Sequence, residues 1–129
     1  MKFASTLAAA AMVAASLASP SGAHAHVRVV ASTPAEGATA DRPRTLTLSF
    51  SDAVEPATAA ASIVMTAMPG VKNHGEMVIR NFTAAWSDSN RTMTLTLRHP
   101  LRAGTYEVRW QATGLEGHRM NGTVKFTVS

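Results

Sequence analysis

Alternation of apolar and polar residues with a period of two runs through most of the chain after residue 26. It is clearest at residues 45–50 and 105–110, and shorter apolar stretches give weaker strand candidates. Successive side chains of an extended strand point to opposite faces, so this pattern places one set in a core and the other in water. About seven strands are predicted, at residues 27–31, 45–50, 62–65, 77–82, 92–97, 105–110 and 123–128.

Residues typical of turns separate these predicted strands. Pro69-Gly70 and Asn121-Gly122 are two examples, and His99, beside Pro100, is interpreted as a surface turn residue. The Ala-rich residues 54–61 are expected to contain one helical turn. Several short strands with turns between them predict one all-β domain, built as a two-sheet sandwich or a small barrel.

The first 25 residues have a different character, which is typical of an export signal. Lys2 precedes an apolar run over residues 7–18, and residues 23–25 form the small-x-small sequence at which signal peptides are cleaved. The apolar run is too short to span a bilayer comfortably. We therefore expect a signal peptide at residues 1–25 and an exported domain at residues 26–129 that does not span the membrane.

Cleavage after Ala25 would make His26 the first residue of the mature protein. Its α-amine and imidazole could then chelate one metal ion, and copper(II) fits because it favours nitrogen donors in a tetragonal arrangement. A second small-x-small sequence at residues 21–23 leaves cleavage after Ala23 open. That cut would place His26 third, where a copper(II) ion could be bound through backbone nitrogens instead.

Charge and cysteine content exclude several classes of function. The chain has 12 Lys and Arg against 8 Asp and Glu, a net charge of +4, 5% aromatic residues and no cysteine. Its basic residues are scattered, whereas a nucleic-acid interface needs a concentrated basic patch, so nucleic acids are not expected partners. Without thiolates, the fold depends on its core, and a metal site must use histidine, methionine or carboxylate donors.

Glu116 and His118 form the first candidate site with His26. Because the two residues are two apart, an extended backbone points both to one side. With the amine and imidazole of His26 they would supply three nitrogens and one oxygen to copper(II). Taken alone, Glu116-Gly117-His118 also fits an exposed loop without metal. Asp52, just after a predicted strand, either belongs to a turn or supports a metal-bound histidine.

Three methionines and a histidine form the second candidate site, at Met65, Met68, His74 and Met77. Thioethers and imidazole are soft donors that suit copper(I) and poorly suit calcium or magnesium. Alternatively, the methionines fill the core. Met65 and Met68 would face opposite sides of a regular strand, so they can converge only if the chain leaves strand geometry, which Pro69-Gly70 favours.

Five segments of the chain resemble the CopC family of periplasmic copper-resistance proteins. The most specific are Val-Met-Thr-Ala-Met-Pro-Gly at residues 64–70 and Ala-Gly-Thr-Tyr within residues 100–106. The others are at residues 31–37, 48–52 and 108–128. His26 lies eight residues before Pro34, as the family's mature N-terminal histidine does before the matching proline. The resemblance therefore favours cleavage after Ala25.

The resemblance implies a Greek-key β-sandwich, related to immunoglobulin-like and cupredoxin-like folds, with a copper site at each end. It also implies a periplasmic protein that carries or buffers copper and is not an enzyme. Its expected partners are copper ions and either an inner-membrane transporter of the CopD type or another periplasmic carrier. The implied copper(II) ligands are His26, Glu116 and His118, and the implied copper(I) ligands are Met65, Met68, His74 and Met77.

The chain departs from the family pattern at both sites. The family usually has aspartate at Glu116 and glutamate at Asp52, so either carboxylate could lie nearer the metal. Another family methionine is Val71 here, and one residue is inserted before His74.

Two other functions stay open at this point. Oxidative polysaccharide-cleaving enzymes bind copper through a histidine brace that also uses an N-terminal histidine, but they usually carry a flat aromatic surface, and aromatics are few here. An immunoglobulin-like interaction module would have incidental histidines and no copper site.

Overall fold

The computed structural model describes residues 26–129, which form two β-sheets. Among these residues, no helix is long and apolar enough to cross a membrane. A short 3-10 helix covers Pro56–Thr58. The strands are β1 (Val29–Thr33), β2 (Thr39–Ala40), β3 (Thr45–Phe50), β4 (Ala60–Ala67), β5 (Met77–Ile79), β6 (Phe82–Ser87), β7 (Thr92–Leu97), β8 (Gly104–Thr113) and β9 (Arg119–Val128).

The two sheets have separate strand orders. One has four strands in the order β1-β3-β7-β6, and the other has five in the order β2-β9-β8-β4-β5. Each ladder is antiparallel except the short pairing of β2 with β9. Because each sheet ends in its own edge strands, the Greek-key sandwich is confirmed, and the small barrel that the alternation also allowed is not formed.

The core fills the space between the inner faces of the sheets. Burial alternates at every residue along β8, as its sequence pattern predicts. Trp110 of β8 meets Phe50 edge to face, with ring centroids 5.2 Å apart. Tyr106 stacks on Phe126 at 5.6 Å. The Tyr106 hydroxyl donates a hydrogen bond of 2.7 Å to the Arg102 carbonyl, and burial raises the pKa of Tyr106.

Two of the nine strands were not predicted. Residues 77–82, predicted as one strand, divide between β5 and the start of β6, which lie in different sheets. Only Phe82 and Trp86 of β6 are half-buried, so this edge strand lacks a clear alternation. β2 has two residues and is too short to show a period. The helical turn expected within residues 54–61 is confirmed as the 3-10 helix.

The turn predicted at Asn121-Gly122 is wrong, because both residues lie inside β9. Gly122 pairs directly with Trp110 of β8. A Cβ atom at Gly122 would lie 2.8 Å from Cζ2 of the Trp110 indole. The glycine therefore marks a close approach of an aromatic ring to the strand backbone.

Candidate metal centres

His26 and His118 lie next to each other at one end of the sandwich. Their ring centroids are 5.5 Å apart, with an angle of 29° between the ring planes. Both side chains are exposed. With a metal–nitrogen bond of about 2 Å, each ring centroid of a metal-bound imidazole lies roughly 3 Å from the metal. The observed spacing therefore suits two imidazoles that share one ion.

The core and β3 hold the segment that carries His26. Val27, the next residue, is only 1% exposed and belongs to the core. The Arg28 amide donates to the Ser51 hydroxyl at 3.1 Å, and the Ser51 amide donates to the Arg28 carbonyl at 2.8 Å. His26 thus lies one residue from a fixed point of the fold.

A tight turn between β8 and β9 positions His118. The Gly114 amide donates to the His118 carbonyl at 3.1 Å, and the Gly117 amide donates to the Gly114 carbonyl at 2.9 Å. Gly117 has a φ of +95°, in the left-handed region that favours glycine. Gly114 also pairs with Val54 in an isolated bridge. These contacts fix the start of β9, where His118 precedes the first strand residue.

The Glu116 carboxylate folds back over Gly114. A Cβ atom at Gly114 would lie 2.8 and 2.9 Å from the two carboxylate oxygens, and 2.9 Å from Cγ2 of Val27. The Glu116 carboxylate and Val27, the residue next to His26, therefore both flank Gly114. A side chain at position 114 would displace one of them.

Asp52 lies at the same end, beyond β3. It accepts a hydrogen bond of 3.3 Å from the Ser51 hydroxyl, and Ser51 is bonded to the His26 segment. Within residues 26–129, no three His, Asp or Glu side chains come close enough together to hold a metal ion. The structure thus brings together the two histidines of the predicted copper(II) site, and its carboxylate ligand, Glu116 or Asp52, stays a prediction.

Met65 and Met77 are cross-strand neighbours in β4 and β5. Directly opposed residues of an antiparallel pair point to the same face of the sheet. Met65 is 1% exposed and Met77 is 47% exposed. Both side chains therefore point to the inner face, Met65 inside the core and Met77 at its open edge.

The chain leaves regular strand geometry between Met65 and Met68. The register of β4 against β8 shifts between Met65 and Ala67, so Thr66 is an extra residue in the ladder. Such a bulge resets the alternation of side chains. Met68, half-buried, accordingly packs against the same core as Met65. Met68 then bridges to Val71 around Pro69-Gly70, which confirms the predicted turn.

His74 is half-buried in the loop before β5. Its Nδ1 atom is buried and has no hydrogen-bond partner among residues 26–129. A buried polar atom of this kind usually finds a partner in a protein, a water molecule or an ion. His74 therefore has a ring nitrogen available for a ligand, as the predicted copper(I) site requires.

An ion-pair network next to this loop was not predicted. Arg109 of β8 donates to both carboxylate oxygens of Glu76, at 3.2 and 2.6 Å, and to Glu107 at 2.9 Å. The Arg109 guanidinium holds the pKa of Glu76 below its usual value. Glu76 directly precedes Met77. Residues 33 positions apart in the sequence meet here, and no local pattern indicates such a pair.

Sequence reasoning also missed a feature of His99. This residue is exposed in a bend, as predicted, but it also lines a cavity of about 320 Å³ with Met65 and Met77. The β7–β8 loop provides His99, and two strands of the other sheet provide the methionines. Only the packing of the two sheets brings them together.

Comparison with known proteins agrees with this architecture. The family model described as the CopC domain matches residues 29–129. Copper resistance protein C of Pseudomonas syringae pv. tomato is 39% identical over 123 residues, which cover 95% of this chain and 92% of that protein. Its counterpart from Xanthomonas campestris pv. juglandis is 38% identical over 117 residues, covering 91% and 90%.

A solved structure extends the comparison to the fold. PcoC, a methionine-rich copper resistance protein from Escherichia coli, superposes with a TM-score of 0.73 at 30% identity. The alignment covers 81% of this chain and 100% of PcoC. Family model, relatives and fold all agree, and the chain belongs to the CopC family.

Proposed function

We propose that this chain is a periplasmic copper-binding protein that carries or buffers copper and is not an enzyme. The observation that carries the proposal is the facing pair of imidazoles, His26 and His118, in a chain whose relatives are named copper resistance proteins. Soft donors at a second place in the sandwich add support. The periplasmic location rests on the export signal expected at residues 1–25, which lie outside the described residues.

The proposed copper(II) site uses the α-amine and imidazole of His26 and the imidazole of His118. One carboxylate, from Glu116 or Asp52, completes a three-nitrogen, one-oxygen set. The amine exists only after cleavage at Ala25, so processing is part of the proposal. The fixed position of Val27 and the tight turn before His118 support a site that is organised before the metal arrives.

The proposed copper(I) site uses Met65, Met68, His74 and Met77. Three features support it: the cross-strand methionine pair, the bulge that turns Met68 to the same side, and the unpaired Nδ1 of His74. Thioethers bind no proton, so this site is expected to hold copper at lower pH than the histidine site does.

Exposure of three of the proposed ligands favours a carrier over a permanent store. His26, His118 and Met77 are all exposed, so an incoming donor group can approach the metal. We propose that copper is exchanged with an inner-membrane transporter of the CopD type or with another periplasmic carrier, as the family resemblance implies.

The enzyme alternative lacks a substrate surface among the described residues. Every aromatic side chain of residues 26–129 is buried or half-buried. Trp86 and Trp110 both pack on Phe50. A flat exposed aromatic platform of the kind used by oxidative polysaccharide-cleaving enzymes is therefore missing from this part of the chain. Ascorbate-driven peroxide formation by the copper-loaded protein would contradict the carrier proposal.

Copper(II) electron paramagnetic resonance tests the proposal most directly. Protein exported and processed by a bacterial host is compared with a matched sample that carries one extra residue before His26, and mass spectrometry checks both N-termini. A nitrogen-rich tetragonal signal that weakens or changes in the extended sample supports the terminal-histidine site. Identical spectra, or no bound copper, would contradict it, and an interaction module without a metal would then explain the fold better.

A further inference from the structure

The cavity of about 320 Å³ beside the edge strand β5 contains an unassigned metal donor. Met65 and Met77 line it from neighbouring strands of the five-stranded sheet. His99 lines it from the loop that connects β7 to β8. Two methionines and one histidine thus line the same cavity.

The backbone on both sides of His99 is fixed. The Arg98 amide donates to the Asn81 carbonyl at 2.8 Å, and the Leu101 amide donates to the Pro43 carbonyl at 2.9 Å. The Leu101 side chain is 3% exposed and belongs to the core. His99 is therefore held at the cavity by hydrogen bonds on one side and by the core on the other.

Met65 is equally constrained on the opposite side of the cavity. Its Cε lies 3.0 Å from the position of a Cβ on Gly104, a glycine with a φ of +159° that gives the methionine side chain room. Tyr106, directly opposite Met65 across the ladder, also lines the cavity and is fully buried. The position of this thioether is thus set by packing.

Charge at the cavity favours a monovalent ion. Arg102 lines it as well, and its guanidinium repels any cation in proportion to the charge of that cation. Neutral thioether and imidazole donors do not offset a second positive charge. Copper(I), which is monovalent and binds soft donors, is the ion that suits this combination.

We infer that His99 is a copper(I) ligand of this protein, acting with Met65 and Met77 in the cavity. The inference rests on the proposed copper(I) site and adds an imidazole that neither the motif nor the spacing indicated. Met68 and His74 do not line the cavity. His99 therefore adds a donor from the β7–β8 loop to the methionine pair.

Anaerobic competition with a chromophoric copper(I) chelator tests the inference on the protein after export and processing. His99→Ala is expected to lower copper(I) affinity by about tenfold or more, as loss of a metal-supporting group typically does. Arg98→Ala, a neighbouring exposed residue outside this cavity, is the matched control and should leave affinity unchanged. The copper(II) spectrum of each variant checks that the domain is folded.

X-ray absorption of the copper(I)-loaded protein gives a second measurement. The wild type should show sulfur and nitrogen neighbours, and His99→Ala should reduce the nitrogen contribution. Unchanged affinity and coordination in His99→Ala, with binding lost in Met65→Leu plus Met77→Leu, would overturn the role of His99 and leave the methionine site in place. Absence of copper(I) binding by the wild type would overturn the copper(I) site itself.

Discussion

Arg109 reaches across β4 to bind Glu76, with Nη2 and Oε2 2.6 Å apart. Arg109 lies on β8 and Glu76 directly before β5, the two strands that flank β4 in the sheet. The same guanidinium contacts Glu107 at 2.9 Å. Val64 is 2% exposed although it points away from the core, on this same outer face opposite Glu107. The ion pair thus ties the loop between β4 and β5, residues 68–76, to the centre of the sheet.

Loss of this ion pair is expected to loosen the loop without unfolding the domain. Arg109→Gln should increase amide hydrogen exchange in residues 72–76 and weaken copper(I) binding, because the loop donors lose their restraint. Global stability should change little, since the ion pair is exposed to solvent and exposed pairs contribute little to stability. Lys125→Gln is the control, because Lys125 contacts Glu107 only at 3.8 Å. Equal exchange in both variants would show that the ion pair does not restrain the loop.

His118→Ala is expected to weaken copper(II) binding about 100-fold or more, whereas Glu116→Gln should cost less because imidazole is the stronger donor. Asp52→Asn is the matched carboxylate variant, and a competition titration measures all three. Whichever carboxylate variant loses more affinity identifies the carboxylate nearer the metal. Equal losses in His118→Ala and both carboxylate variants would contradict this ranking.

Met65→Leu combined with Met68→Leu should abolish copper(I) binding and spare copper(II) binding. Methionine and leucine have similar volumes, so each exchange should cost less than about 1.5 kcal/mol of stability. Parallel titrations with both oxidation states measure the effect. Retained copper(I) affinity would mean that these methionines only fill the core.

Gly122→Ala is expected to destabilise the fold by about 1–3 kcal/mol, the usual cost of overpacking. The added methyl group would meet the Trp110 indole at 2.8 Å. Gly75→Ala is the control, because a Cβ there meets no atom within 4 Å. Urea denaturation of both variants gives the comparison, and similar midpoints would show that the indole can move aside.

Stability should fall in alkali as Tyr106 ionises. Burial raises the pKa of Tyr106 in the folded protein. An unfolded tyrosine titrates at about pH 10, so the neutral Tyr106 phenol contributes its full share to the free energy of unfolding below that pH. This contribution is lost as the pH rises through the higher pKa of the folded protein. Melting temperatures of wild type and Tyr106→Phe between neutral pH and strong alkali measure this. Tyr106→Phe should lose less stability than the wild type across that range. Parallel curves would show that ionisation of Tyr106 does not cause the loss of stability.

Strong alternation made the central strands predictable. Apolar and polar residues alternate at each step in the parts of β3, β7, β8 and β9 at residues 45–50, 92–97, 105–110 and 123–128, and this alternation indicates which face is buried. β6 lies at a sheet edge and buries little, so its sequence carries a weak pattern. Asn121-Gly122 has the composition of a turn, and the sequence does not show that an indole from another strand lies over Gly122.

The same distinction applies to the proposed copper sites: residues with a local sequence signal were predicted, and contacts between distant segments were not. His26 and Met65 were predicted because export processing and donor chemistry are local properties of a sequence. The cavity position of His99 and the contact of Arg109 with Glu76 depend on how distant segments pack, and no short motif records such packing. Contacts between residues that are far apart in the sequence leave no periodic pattern in it.

Val27 is buried in the core directly beside His26, the first residue that the structure describes. Under the proposed cleavage after Ala25, the cut would fall directly before a proposed copper(II) ligand and one residue before Val27. A peptidase that cut one residue late would remove a proposed ligand, and a cut two residues late would also remove a core side chain. The proposed copper(II) site would thus depend on how accurately the signal peptidase cuts the chain.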